Sequence, residues 1–320
     1  MSTDGLLARV GRALAGSWGY RRPPHAFVLT EERLVHVAAP RETRAGGGLA
    51  VRSRELPPGT FQDAPSGGRV AGPGLAQAVA ALLPPNQHLA ATSLAVPDAF
   101  VKAAPVDVEP GVEKNPKELA EVLRWKVGRL WGEPAPALRI GWCRAGEASG
   151  GAPRFLVVSA PEETVASCEA AFAARGIRIG ALEPASLALS ALAAKALPGS
   201  GFLVLADGAT VSTVWLDGGA PRFLRTRAST ADPDEALQEF RLAATFVGGA
   251  DVEGPGPDLS ADVIAVPEAS DLAGRLRELR RENGGKEPVS LLAYLAGRGL
   301  PVRAGDTAPL VGLGLLEGAE

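Results

Sequence analysis

The sequence predicts an α/β protein of two lobes, and three observations carry that prediction. Residues 26–83 and 202–246 each run through three short strand-like segments and then a helix-like one, so one order of elements occurs twice. The 320 residues are 46% hydrophobic, enough to fill the core of one large domain or of two lobes. Between the two recurrences, strand and helix patterns alternate as they do in mixed α/β chains.

The first half opens after Pro23-Pro24 with Ala26 to Thr30, a polar Glu31-Glu32-Arg33 step and Leu34 to Ala39, the pattern of a hairpin. Leu49 to Leu56, beyond Gly46-Gly47-Gly48, is a third strand. Pro57 to Gly74 is rich in Pro, Gly and Ser and reads as a surface loop; Leu75, Val79, Leu82 and Leu83 then keep helical spacing until Pro84. Leu89 to Val96 and Phe100 to Val108 are strand candidates. Asn115-Pro116 then starts a helix, with Asn as cap, Pro at the first helical position and an apolar stripe of Leu119, Val122, Leu123, Val127, Leu130 and Trp131. Leu138 to Cys143 and Phe155 to Ser159 follow as strands. The latter leads through Pro161-Glu162-Glu163 into a helix ending near Phe172, a stop at Gly176 and a strand at Ile177 to Leu182, which predicts a β-α-β unit.

The second half repeats the opening with Phe202 to Ala206, Val211 to Leu216, an Asp217-Gly218-Gly219 hairpin turn, Arg222 to Arg227 and a helix from Asp234 to Phe246. Gly248 to Asp262 reads as a linker, Val263 to Val266 as a short strand and Leu272 to Arg281 as a helix with a solvated arginine face; Leu291 to Leu295 adds a helical turn or two, and Leu310 to Leu316 closes the chain. Two lobes that each open on a three-stranded meander fit a duplicated ribonuclease-H-like or actin-like architecture, and other mixed α/β folds meet the same periodicity.

Bulk properties exclude several functions. Lys+Arg total 33 against 36 Asp+Glu, so the surface has no general attraction for nucleic acid. Cys143 and Cys168 have no paired spacing, which suggests neither a disulfide framework nor a zinc site and makes reducing cytoplasm the default. The most apolar stretch, Leu182 to Leu197, is interrupted by Glu183, Pro184 and Lys195 and is no membrane span. In the leader, residues 1–24, Leu6, Leu7, Val10, Leu14 and Trp18 fall on one side of a helical wheel and Arg9 and Arg12 on the other. The pattern fits an interfacial membrane contact and equally a leader packed on its own domain, since Gly5, Gly11 and Gly16 weaken the helix.

Several segments together, in order and spacing, carry a family resemblance over nearly the whole chain. They are Glu55 to Asp63, Leu94-Ala95-Val96-Pro97-Asp98, Glu118 to Trp131, Phe155 to Ala160, Leu182 to Ser186, Asp207-Gly208-Ala209-Thr210, and the ending Pro301-Val302 to Gly312-Leu313-Gly314-Leu315. The chain resembles the PilM proteins of type IV pilus assembly, actin-like relatives of the division protein FtsA, and the same layout occurs in the cytoplasmic part of the secretion-system protein GspL. The resemblance implies a two-lobed actin-like fold with an inserted subdomain: 25–96 plus 181–200 as first lobe, 97–180 as insertion, and 201–320 as a reduced second lobe without the nucleotide-covering subdomain.

It also implies where ATP would sit: between the lobes, its phosphates on two glycine-bearing hairpin turns. The first turn here, Thr30-Glu31-Glu32-Arg33, has no glycine and brings two carboxylates to the place of the polyphosphate. The second, Asp207-Gly208-Ala209-Thr210, keeps a glycine and a hydroxyl, but Ala206 stands where the family has its acidic residue. That turn is the one residual nucleotide-binding candidate, and an ordinary hairpin turn is an equal reading. The glycine pair expected near adenine is replaced by Ala265 to Ser270. The implied function is therefore a pseudo-ATPase, a non-catalytic scaffold that needs no cofactor and binds the cytoplasmic tail of a PilN-like single-span membrane protein and other inner-membrane components of a pilus or secretion machine. The rival is an active ATPase or sugar-kinase-like phosphotransferase using ATP and Mg.

Arg124, Trp125, Arg129 and Trp131 share one helix. Core packing explains the tryptophans first, and aromatic and arginine side chains on one element also suit a partner-binding surface. His25, His36 and His88 lack metal-ligand spacing and read as structural or surface residues, and Cys168 reads as a small buried hydrophobe.

Overall fold

Burial sorts the strands at once. His25–Leu29 (β1) and Arg33–Ala38 (β2) are buried along almost their full length, as strands covered on both faces must be, whereas Ala50–Glu55 (β3) is exposed and charged. In this computed structural model the described residues are 23–38, 49–64, 68–83, 89, 91–148, 150–207, 210–228, 232–249, 261–283, 285–297, 300, 302–303 and 305–317.

The first sheet has the order β10-β6-β1-β2-β3, where Ala91–Val96 is β6 and Arg178–Pro184 is β10. The meander β1-β2-β3 is antiparallel, and β6 and β10 join it in parallel. The second sheet, β13-β12-β11-β14, repeats that plan with Gly201–Asp207 (β11), Thr210–Asp217 (β12), Ala220–Ala228 (β13) and Asp262–Val266 (β14). Again the meander is antiparallel and β14 pairs in parallel with the first strand of the lobe. Among the described residues the second sheet has no counterpart of β10. Gly218 and Gly219 close the β12–β13 turn at φ 56° and 80°, values that glycine adopts without steric cost.

Between β6 and β10 lies a third sheet, β7-β9-β8, built from Lys102–Asp107 (β7), Leu138–Glu147 (β8) and Pro153–Pro161 (β9). Helix α2, Pro116–Trp131, packs on it through Leu119, Leu123 and Val127. Its start is the one expected: the Asn115 side chain accepts hydrogen bonds from the Lys117 and Glu118 amides, and Pro116 is first in the helix.

Three expectations are corrected. The stretch 57–74 is not all loop: Phe61–Asp63 (β4) and Arg69–Ala71 (β5) form a small hairpin, and helix α1 begins at Pro73 and runs to Leu82. The predicted β-α-β unit is divided between sheets, because β9 belongs to the third sheet and β10 to the first. The helix between them, Glu162–Ala173 (α3), buries Val165, Cys168 and Phe172 in the first-lobe core, so the expected boundary at residue 180 falls inside β10. The last helix, Thr307–Glu317 (α8), packs on β1, β2 and β6 and on Ala185–Ala196 (α4), so the tail of the expected second lobe returns to the first.

The second-lobe core gathers Phe202, Val204 and Val263 with Phe240 of Pro233–Gly249 (α5) and Leu276 of Asp271–Glu282 (α6), and Leu291–Gly297 (α7) follows. Helix α4 touches strands of both lobes and carries α8 on its other side. The α4–α8 approach depends on glycine. A Cβ on Gly314 would stand 2.0 Å from the Ala188 carbonyl oxygen, and one on Gly312 would stand 2.5 Å from Val37 Cγ2. No described helix is long and apolar enough to cross a membrane.

In the first sheet His25 Nδ1 and His36 Nε2 lie 3.1 Å apart, and the His36 ring stacks on Phe27. Burial, helped by His25 and Arg52, pulls the His36 pKa from 6.5 to about 4.

Two predictions follow from this packing. Gly314→Ala forces α8 off α4 and lowers stability by about 1–3 kcal/mol or more, whereas Gly274→Ala on α6, with open space around the new Cβ, is neutral or mildly stabilising; urea midpoints compare the two. Because the His36 pKa is depressed, its neutral form contributes stability that is complete above pH 6.5 and lost as the pH falls through about 4. His36→Phe therefore removes up to about 3 kcal/mol of acid sensitivity across that window, read from urea titrations at several pH values.

Candidate functional site

The β1–β2 and β11–β12 turns face each other, as the duplicated plan requires. In the first turn the Thr30 hydroxyl accepts hydrogen bonds from the amides of Glu32 and Arg33, at 3.3 and 3.0 Å, which uses donors that a phosphate would need. Glu31 and Glu32 are exposed on it. In the second turn Asp207 pairs with Thr210, whose hydroxyl donates to the Asp207 carbonyl at 3.0 Å; Gly208 and Ala209 lie outside the described residues.

The electrostatics of this cleft are unfavourable to an anion. Burial raises the Asp207 pKa, Arg33 opposes that shift, and Glu31 and Glu32 add to it. Arg33 is the cation nearest to hand, and its guanidinium is already held by Asp306 at 2.6 Å.

Behind the cleft, Asp98 sits in the short turn Asp98–Phe100 where the first sheet passes into the insertion. It is buried, and its Oδ1 accepts from the Ser186 amide at 3.0 Å, at the start of α4. Burial raises its pKa; the Ser212 hydroxyl of β12 and the Ser186 amide work against that rise. One carboxyl thus touches the first lobe, the second lobe and the helix between them. The sequence singled out Asp98 only as the end of a segment, because its partners lie 88 and more residues away.

A second feature lies along β10. Strand β10 is an edge of its sheet and β8 an edge of the third sheet, and an apolar groove runs between them. All residues from Ile179 to Pro184 line it, which marks it as following the edge of β10 rather than one face. The opposite wall is Arg139, Ile140 and Gly141 of β8 with Val158, Ser159 and Ala160 of β9, and α3 adds Val165 and Glu169. Arg139 is gripped by Glu162 at 2.8 Å and by Glu169 at 3.2 Å, contacts that hold its pKa above the usual arginine range. Ser159 Oγ is buried there with no hydrogen-bond partner.

The four candidate partner-binding residues on α2 divide. Trp125 is 52% exposed, with the Arg129 guanidinium 5.0 Å from its ring centre, so core packing does not explain it. Trp131 is partly buried against the insertion core with Lys102 near its ring, and Arg124 is half-buried. None of the four lines the groove. The candidate membrane-contact residues Leu6, Leu7, Val10, Leu14 and Trp18 lie outside the described residues. Cys143 and Cys168 are buried, and burial pushes both thiols up to about 12. Among the described residues no cluster of His, Cys, Asp or Glu is arranged to hold a metal ion.

No family model and no curated protein sequence matches the chain. Solved structures do. A PilM-PilN type IV pilus biogenesis complex matches at TM-score 0.67 with 20% identity, covering 94% of this chain and 100% of that one. The cytoplasmic domain of EpsL, an inner-membrane component of the type II secretion system of Vibrio cholerae, matches at TM-score 0.45 with 13% identity over 76% of this chain and 81% of that one. A Bacteroides thetaiotaomicron protein with actin-like ATPase fold and unknown function matches at TM-score 0.49 with 8% identity over 82% and 88%. The first likeness covers nearly the whole chain, and the chain has a two-lobed actin-like fold with an inserted subdomain.

Proposed function

We propose that this chain is a non-catalytic adaptor on the cytoplasmic side of a type IV pilus or type II secretion-like machine, peripheral to the inner membrane. In this reading it holds the cytoplasmic tail of a PilN-like single-span membrane protein. The observation that carries the reading is the groove between two open strand edges, in a chain with the fold of a protein solved together with PilN. Strand edges offer unpaired N–H and C=O groups in a row, and an extended tail satisfies them while its side chains fill the apolar floor. The buried hydroxyl of Ser159 supplies a polar point at which register is fixed. The exposed Trp125–Arg129 pair on α2 suits a second contact, with another component of the same machine.

The same reading makes the chain a pseudo-ATPase. Glu31, Glu32 and Asp207 crowd the place of the triphosphate, Arg33 is engaged by Asp306, and the stretch between α5 and β14 is too short for a subdomain over the base.

Titration calorimetry of the full chain with tail peptides from single-span membrane proteins encoded beside it is expected to give a Kd of roughly 1–100 μM for one of them, in the range of small peptide interfaces. Ala181→Arg, which plants a long side chain in the groove, weakens that binding at least tenfold; failure of every such tail to bind removes the reading. Millimolar MgATP leaves the melting temperature unchanged, and a rise of several degrees in a thermal scan would establish the ATPase alternative instead.

A further inference from the structure

A buried carboxyl stands where the two lobes meet. Asp98 is 3% exposed, and its Oδ2 is fully buried without a hydrogen-bond partner, as is the hydroxyl of Ser186. Its Oδ1 receives the Ser186 amide at 3.0 Å. A buried carboxylate needs several donors or a cation to offset its lost hydration, and one amide leaves most of that cost standing.

Among the described residues, the elements packed on the 98–100 turn supply no cation to it. From β12 the carboxyl faces Ser212, whose hydroxyl lies 2.9 Å from that of Thr226 on β13, and from α4 it faces Ser186. Arg225 of β13 is turned to Glu239 of α5, and Lys102, where the turn runs into β7, is turned to Glu133. The charged group that acts on Asp98 is Asp207 of β11, a second acid, which adds to the cost of a charge there. A proton removes that cost and gives the carboxyl a donor of its own.

We propose that Asp98 carries a proton at neutral pH and serves as a clasp between the lobes, its Oδ1 accepting the Ser186 amide of α4 while its Oδ2–H donates to the Ser212 hydroxyl of β12. Ser212 in turn donates to Thr226, so one chain of hydrogen bonds runs from the head of α4 through the turn into β12 and β13. The clasp has a pH dependence of definite sign. The folded protein keeps a proton that the unfolded chain gives up in the ordinary aspartate range, so the contribution of the clasp is complete at the acid end and is lost progressively as the pH rises.

Asp98→Asn tests the proton, because the amide has the shape of a protonated carboxyl, can accept from Ser186 and donate to Ser212, and never ionises. Urea titrations from about pH 5 to about pH 7, above the range in which an exposed aspartate titrates, are expected to show the folding equilibrium of the wild type falling relative to the variant by up to about tenfold per pH unit, the limit for one proton. The infrared difference between the two proteins at neutral pH carries the carbonyl band of a protonated carboxyl. Parallel pH profiles, or a difference spectrum without that band, overturn the proposal. Hydrogen exchange tests the clasp itself: in Asp98→Ala the amides of Ser186 and of residues 211–213 exchange about tenfold or more faster than in the wild type, those of α2 keep their rates, and Asp98→Asn leaves both sets unchanged. Equal exchange in the three proteins, or acceleration spread evenly over the molecule, overturns the clasp. If Asp98→Ala does not fold, Ser212→Ala, which removes the acceptor from the second lobe, replaces it with the same expectation.

Discussion

Gly314 of α8 meets the Ala188 carbonyl of α4 at a distance that admits no side chain, and this contact seats α8 against a helix that touches both lobes. Helix α4 touches β11, β12 and β13 on one side and β6 and β10 on the other, so it is the shared wall of the molecule. With α8 drawn against it, the end of the chain is fixed to the first sheet, and β10 is held with its outer edge free. The groove depends on this arrangement, since no strand pairs with β10 on the side opposite β6 among the described residues. Asp98 adds a polar fixing point at the N-terminal end of α4, where a buried carboxyl accepts the Ser186 amide.

The cleft between the lobes gathers acidic groups. Two hairpin turns still face each other, yet the first is closed on itself by the Thr30 hydroxyl and carries two glutamates. Two carboxyls with raised pKa values stand here, Asp207, half-buried at the second turn, and Asp98, buried behind it. Such groups favour the folded state most at low pH and lose that contribution as the pH rises through their raised values, so they are maintained against a stability cost.

Much of the architecture was legible because local signals and tertiary packing agree. Asn115-Pro116 starts a helix by its own capping chemistry, Gly176 at φ 69° ends a turn that needs a positive φ, and the doubled meander shows in the sequence as short apolar runs parted by polar turns. Most of the misses arise because periodicity identifies a strand and not its neighbours. Strand β9 pairs with β7 and β8 while β10 pairs with β6, and nothing in the intervening helix announces the change of sheet. The β4–β5 hairpin has three residues per strand, too few for alternation to register, and is secured from outside by the Ala71 amide donating to Ser167 Oγ. The groove was invisible for the same reason: its walls come from strands some 40 residues apart that meet only through tertiary structure.

The two thiols have a practical consequence. Cys143 and Cys168 are buried and stay protonated far above neutral pH, so they are poor nucleophiles toward alkylating reagents and oxidants alike. The native chain is thus a quiet background for a single engineered cysteine, and a fluorophore could be placed on either lobe without first stripping the protein of its own sulfur.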